Sequence, residues 1–214
     1  MLGTHDFLLF VLSGLLLNLT PGPDTLYIVG RSTTQGGRAG AVAALGIGAG
    51  IFVHIAAAAA GLSALLAASA NAFTVVKLAG AAYLVYVGIS LLRSPITPGA
   101  AIRGGFAPVS LRQIFVQGFF TNVLNPKVAL FFIAFLPQFV EPGALSKATA
   151  LPFLGAIFNL NGTLWNLFVA WSSARIGGGL MRSANVARWF NRCVGGLFVV
   201  LGVKLALTSE RSGL

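Results

Sequence analysis

Asn18-Leu19-Thr20-Pro21-Gly22-Pro23-Asp24 and Asn122-Val123-Leu124-Asn125-Pro126-Lys127 decide how this chain is read. Each closes an apolar run with proline and then a charge. A proline inside a helix removes one backbone hydrogen bond and collides with a carbonyl one turn earlier. The freed backbone groups are tolerated in hydrocarbon only against protein or a polar cavity. Either charge costs at least ~2.5 kcal/mol at mid-membrane, so Asp24 and Lys127 each require a partner, a cavity or a function. The weight of the reading rests on whether the rest of the chain lies in a bilayer.

Composition says that it does. Of 214 residues, 57% are hydrophobic and 8% charged, with a mean hydropathy of +0.89. Soluble domains carry about 25% charged residues, so a soluble fold is excluded. Six apolar stretches follow one another: Phe7 to Val29, Ala39 to Ala68, Phe73 to Leu92, Gln113 to Phe139, Ala148 to Ala174 and Trp189 to Leu207. Each is long enough to span a membrane as a helix. A β-barrel would show short strands of alternating polarity, whereas these runs are apolar all round. The expected fold is all-α and polytopic. The first run lacks a basic segment before it, since His5 and Asp6 precede it, and is expected to remain as a permanent span.

The net charge of +10 is a topology signal. Arg31 and Arg38 fall between spans one and two, Arg93, Arg103 and Arg112 between three and four, and Arg175, Arg182, Arg188 and Arg192 between five and six. The opposite set of loops and termini holds only Lys147 and Arg211. By the positive-inside rule the Arg-rich loops are cytoplasmic and both termini lie outside. Arginines dispersed over three short loops without interleaved aromatics do not suit a nucleic-acid partner. Cys193 is the single cysteine, which gives no disulfide or metal-site signal, and no cofactor is expected.

Three spans are an odd number, so two similar halves joined in series must be inverted. Traces of a repeat are present: Gly14, Asn18 and the Pro21-Gly22-Pro23 break in the first half, Gly118, Asn122 and the Asn125-Pro126 break in the second. The chain is read as one transporter domain, 1–214, with inverted three-helix repeats 1–92 and 113–214, broken helices one and four, and a cytoplasmic linker 93–112; the Pro95 to Pro108 connection and the Leu111 to Gln117 stretch have the look of that linker. Paired interruptions at matching places in inverted halves are the best sequence pointer to a substrate site. Span two is ~45 Å if helical throughout, longer than a hydrocarbon core, so it tilts or bends. Gly46, Gly48 and Gly50 serve close helix packing or, alternatively, a hinge.

Those motifs, with Lys77 and Tyr83-Leu-Val-Tyr86-Val-Gly88 in span three and Phe131-Phe132 and Leu136-Pro-Gln138-Phe139 after the second break, resemble the LysE/RhtB family of bacterial amino-acid exporters over nearly the whole chain. The resemblance implies export of amino acids such as homoserine, threonine, leucine or lysine across the inner membrane, driven by the proton gradient, with amino acid, protons and lipid bilayer as partners. Read from the residues, a membrane-embedded hydrolase or a metal exporter would need clustered His, Asp or Glu or an activated nucleophile, and with only Asp24 and His54 deep in the spans no enzyme is expected.

An amino acid presents a carboxylate and an ammonium group. Lys127 and N–H groups freed at the breaks suit the first; Asp24 and freed carbonyls suit the second. Asp24 also suits proton coupling, because a carboxyl group in a dry environment favours proton uptake on an acidic outer face. Straight helices would leave the two residues far apart in depth. Either the break in span one returns Asp24 toward the middle, or the two act at different stages. His54 is a candidate proton relay or an interhelical hydrogen-bonding group. Asn159, Asn161 and Asn166 line a polar path in span five or merely bond between helices. Lys77 and Lys204 suit snorkelling to the surface. Tyr83 is a further candidate deeper in span three. With one deep acid, a small neutral or hydroxy-amino acid is favoured over lysine or arginine. Export of basic amino acids and a passive channel are the alternatives, and six short spans also leave room for pairing with a second copy.

Overall fold

A computed structural model describes residues 3–68, 106–140 and 147–176, with interspersed positions within 75–93 and 192–207. Lys77, Tyr83 and Lys204, and with them the readings placed on them, lie outside the described residues. The described chain forms α1 (Phe7–Leu19), α2 (Pro23–Gln35), α3 (Gly37–Ala68), α4 (Leu111–Val123), α5 (Pro126–Leu130) and α6 (Lys147–Ile176). A π-helical turn (Phe131–Phe135) and a 3₁₀ turn (Leu136–Phe139) continue α5. No strand occurs among the described residues, and a single bridge, Thr4 to Val140, ties the start of the chain to the end of the 3₁₀ turn.

Gly37–Gly61 and Thr149–Arg175 are each long and apolar enough to cross a membrane unaided. Among the described residues, two further helix pairs pass the same test only when each is taken together across a bend: α1 meets α2 at 51°, and α4 meets the Pro126–Phe139 segment at 47°. Large apolar side chains such as Leu8, Phe52, Phe120, Leu124, Leu160 and Leu164 face outward. Such a surface suits lipid contact and would be a liability in water. The described positions within 75–93 and 192–207 are also helical, and they touch: a Cβ on Gly88 would stand 2.6 Å from the Gly195 carbonyl oxygen, and one on Gly202 would stand 2.8 Å from that of Ala81.

Helix α3 is the hub, packed on α2, α4 and α6. It runs uninterrupted through Gly46, Gly48 and Gly50, which are contact points. A Cβ on Gly46 would collide with Phe115 O, and one on Gly50 would stand 2.8 Å from Phe119 O. From the other side, a Cβ on Gly118 would stand 2.7 Å from Ala43 O. Glycine on both faces lets two backbones approach, which is how helices associate where lipid offers no hydrophobic drive.

Of the linker, 94–105 lies outside the described residues, and the Leu111 to Gln117 stretch is helical. Leu111 to Gln117 belongs to α4, whose start is a capping box: Ser110 Oγ accepts from Gln113 N at 3.3 Å, while Ser110 N donates to Gln113 Oε1 at 3.1 Å. Ser followed three residues later by Gln before an apolar run is a helix-start signal, and it outweighs the polar appearance of Arg112 and Gln113. Beyond the second break, Phe131, Phe132, Phe135 and Phe139 pack with Phe10 and Phe158 into an aromatic cluster, with Phe131 and Phe158 stacked at 4.7 Å. Tyr27, Ile28, Ile47 and Ile114 form a second core between α2, α3 and α4.

Candidate functional site

Both breaks end one helix and start another at proline. Pro23 and Pro126 occupy the opening turns of α2 and α5, where the missing N–H costs nothing. Asp24 and Lys127 each follow directly. A helix start carries partial positive charge and so favours the Asp24 carboxylate. Lys127 instead reaches back to the end of α1, where partial negative charge gathers.

The contacts trace to the prolines. In an unbroken helix the Pro21 nitrogen would donate to Leu17 O and the Pro126 nitrogen to Asn122 O; proline has no such hydrogen. Lys127 Nζ takes over at the first break, donating to Leu17 O at 2.8 Å and to Thr20 O at 2.9 Å. At the second, His54 Nε2 donates to Asn122 O at 3.0 Å. A carbonyl oxygen can only accept, which fixes the proton on Nε2. The Asn122 side chain then turns to the first break, with Nδ2 donating to Asp24 Oδ2 at 2.8 Å. Asn125 Oδ1 caps α5 by accepting from Lys127 N at 3.1 Å.

Asp24 and Lys127 therefore meet at one place. They line a single cavity with Asn18, Thr20, Gly22, Thr25, Asn122, Asn125 and Asn166, walled on its apolar side by Leu17, Ile47, Ile51, Val128 and Phe158. The breaks thus bring Asp24 and Lys127 to the lining of the same cavity. The two are not ion-paired, since among the described residues the salt-bridge contact is His5 with Asp6. Three polar atoms around the cavity are buried without a protein partner among the described residues: Asp24 Oδ1, Asn122 Oδ1 and Asn18 Nδ2. Buried polar groups left unmatched are exceptional and call for a ligand or water. The cavity has a volume of about 30 Å³, room for about one or two waters.

The remaining sequence candidates divide. Pro21, Gly22 and Pro23 shape the break, and a Cβ on Gly22 would lie 3.8 Å from Lys127 Nζ, an ordinary contact. Asn159 is away from the cavity: its Nδ2 donates to Gly48 O at 3.1 Å and its Oδ1 accepts from Thr163 Oγ1 at 3.1 Å, an interhelical role. Asn161 is half-buried and is not among the cavity residues. Asn166 is buried and does line it. Thr20 and Thr25, which flank the first break, also line the cavity; their position beside Pro21 and Asp24 was the available signal. No cluster of His, Cys, Asp or Glu able to hold a metal occurs among the described residues.

Broken helices that enclose charged groups in an apolar bundle define a membrane translocator. The chain belongs to the LysE type translocator family, which matches residues 15–209. It is 34% identical over 208 residues to an uncharacterised membrane protein of Pseudomonas aeruginosa, covering 96% of each chain. It is 30% identical over 205 residues to a leucine efflux protein of Enterobacter sp. (strain 638), covering 95% of this chain and 96% of that one. A Bacillus subtilis membrane protein is 28% identical over 212 residues, covering 95% of this chain and 100% of that one. No solved structure matches.

Proposed function

We propose that this protein exports amino acids from the cytoplasm across the inner membrane, in exchange for protons, and prefers small neutral or hydroxy-amino acids. The observation that carries the reading is the meeting of Asp24 and Lys127 in one cavity without pairing with each other. One anion and one cation held apart match the two ends of a zwitterion. The Enterobacter relative named as a leucine efflux protein supports the same substrate class.

The proposed arrangement is six spans in two inverted triplets, Arg-rich loops inside and both termini outside. In that orientation the Phe131–Phe158 cluster is the outer barrier, and the α2–α4 seam, where Tyr27 Oη donates to Ile114 O at 2.9 Å, closes the inner side. Substrate ammonium takes the unmatched Asp24 Oδ1, and substrate carboxylate draws Lys127 from the α1 carbonyls. A proton on Asp24 excludes the ammonium, so that proton and substrate occupy the site in turn. A second carboxylate for the side chain of lysine or arginine is missing from the cavity residues, which disfavours the basic alternative.

Counterflow in proteoliposomes with a panel of labelled amino acids, followed by export under an imposed pH gradient, tests this. Leucine, threonine or homoserine is expected to exchange, gradient-driven export is expected to fail in Asp24→Asn, and flux indifferent to the gradient would indicate a channel. Full gradient-driven export by Asp24→Asn, or preference for lysine, defeats the proposal.

A further inference from the structure

Arg31 lies on α2 seven residues past Asp24, about two turns or ~10 Å nearer the Arg-rich loops. It is 3% exposed. Its Nη1 donates to Gln35 Oε1 at 2.8 Å and to Ala107 O at 3.0 Å, and its Nη2 donates to Gln117 Oε1 at 2.7 Å. The guanidinium carbon stands 4.6 Å from the Phe106 ring centre and 5.5 Å from that of Tyr27. Every one of these partners is neutral. Nε is buried with no partner among the described residues.

The sequence explains the missing counter-charge. The chain has four acids, Asp6, Asp24, Glu141 and Glu210, and none falls in an Arg-rich loop. A buried cation is ordinarily paired. Nε and Nη2 form the side-on edge of a guanidinium, the edge whose two N–H groups match the two oxygens of a carboxylate. Here that edge is half used: Nη2 meets a neutral amide oxygen and Nε meets nothing.

We propose that this edge of Arg31 is a carboxylate-recognition station on the cytoplasmic approach to the Asp24 and Lys127 cavity, where an incoming amino acid's carboxylate displaces Gln117 Oε1 and takes both N–H groups. The proposal rests on the amino-acid export reading. Residues 106–110 form its cover. Phe106 packs on Gly30, Ala107 O holds Nη1, and Val109 is tied to Gln35 in both directions, accepting from Nε2 at 2.9 Å and donating to Oε1 at 3.3 Å. Moving Phe106 and Ala107 aside exposes the edge. From there Gln117 and Tyr27 Oη, 3.1 Å apart, continue a polar seam along α2 and α4 toward Asn122 and Asp24. A clasp serving structure alone has no use for an unmatched N–H on a cation.

The test is leucine counterflow in proteoliposomes, measured from the face bearing the Arg-rich loops, with leucinamide as a competitor that keeps the ammonium and lacks the carboxylate. Wild type is expected to prefer leucine. Arg31→Gln is expected to raise the half-saturating leucine concentration about tenfold or more, leave the maximal rate within about threefold, and abolish the preference over leucinamide. Arg31→Lys, which keeps the charge without the fork, recovers only part, and carries the same readings if Arg31→Gln does not fold. Phe106→Ala, which lightens the cover, lowers the half-saturating concentration. An unchanged preference in Arg31→Gln, or a loss of rate alone, overturns the proposal. If wild type moves no amino acid, the export reading falls instead, and thermal stabilisation of the purified protein decides: stabilisation by leucine over leucinamide that Arg31→Gln loses upholds the station, and equal or absent stabilisation overturns it.

Discussion

Lys127 Nζ stands 2.8 Å from Leu17 O, the carbonyl that Pro21 deprives of its helical donor. A residue in the second half of the chain thus completes the backbone of the first, 110 positions away. The break and the charge are therefore one device: without Lys127, Leu17 O keeps only the Thr20 N–H at 3.2 Å, and Thr20 O loses the ammonium it faces. Lys127→Met is expected to lower stability by about 1–3 kcal/mol, less than the full cost of the lost bonds because the buried charge goes as well. Pro21→Ala restores an N–H near Leu17 O and should recover part of that loss in the double variant, while transport, expected to be lost in Lys127→Met, is not restored. A double-mutant cycle on thermal unfolding in detergent checks the coupling; strictly additive effects would show that the two do not share the carbonyl.

His54 is the counterpart at the second break. Its ring donates to the Asn122 carbonyl and lies on Phe132, with ring centres 5.9 Å apart. A backbone carbonyl passes no proton onward, so this geometry favours the interhelical role over the relay. His54→Gln, which keeps a side-chain N–H donor, is expected to retain most export, and His54→Leu to cost about 1 kcal/mol by leaving Asn122 O with the Asn125 N–H, at 2.9 Å, as its remaining donor. Stability and transport measured on both variants decide between the roles; loss of pH-driven export in a well-folded His54→Gln would restore the relay.

Sequence carried the broken helices because proline and charge act locally: Pro21, Pro23 and Pro126 interrupt hydrogen bonding wherever they stand, and Asp24 and Lys127 stand out in an apolar chain. It did not carry the joining of the breaks, because counting rise along straight helices separates Asp24 from Lys127, and a bend of 51° is invisible to such counting. The three asparagines of span five could not be sorted by spacing either. Asn159, Asn161 and Asn166 differ in which helix each meets, and that depends on the rotation of α6 against α3. Arg31 was legible as a topology marker and hid its other property, since burial by residues 106–110 is a tertiary fact.

The glycine contacts between α3 and α4 carry a prediction of sign. At Gly46 an added Cβ meets the Phe115 carbonyl, part of a helix backbone that cannot rotate away. Gly46→Ala is expected to destabilise by about 1–3 kcal/mol, as overpacking does. Gly61, with nothing within 4 Å of an added Cβ, supplies the control: Gly61→Ala should leave thermal stability unchanged or slightly raised. Equal tolerance at both positions would mean that α3 and α4 stand further apart than described.

Asn159 and Asn166 separate packing from transport within one helix. Asn159 spends both ends of its amide on Gly48 and Thr163, away from the cavity. Replacing it by Leu removes an interhelical hydrogen bond worth about 0.6 kcal/mol on average in membrane proteins, so Asn159→Leu should lower stability modestly and leave the half-saturating substrate concentration as it was. Asn166 lines the cavity that holds Asp24 and Lys127. Asn166→Leu puts an apolar side chain where polar groups of the substrate must pass, and a several-fold or greater rise in half-saturation with near-normal stability is expected. Counterflow and thermal unfolding on the two variants give opposite signatures, and the reverse pattern would place the substrate path along the face of α6 that carries Asn159.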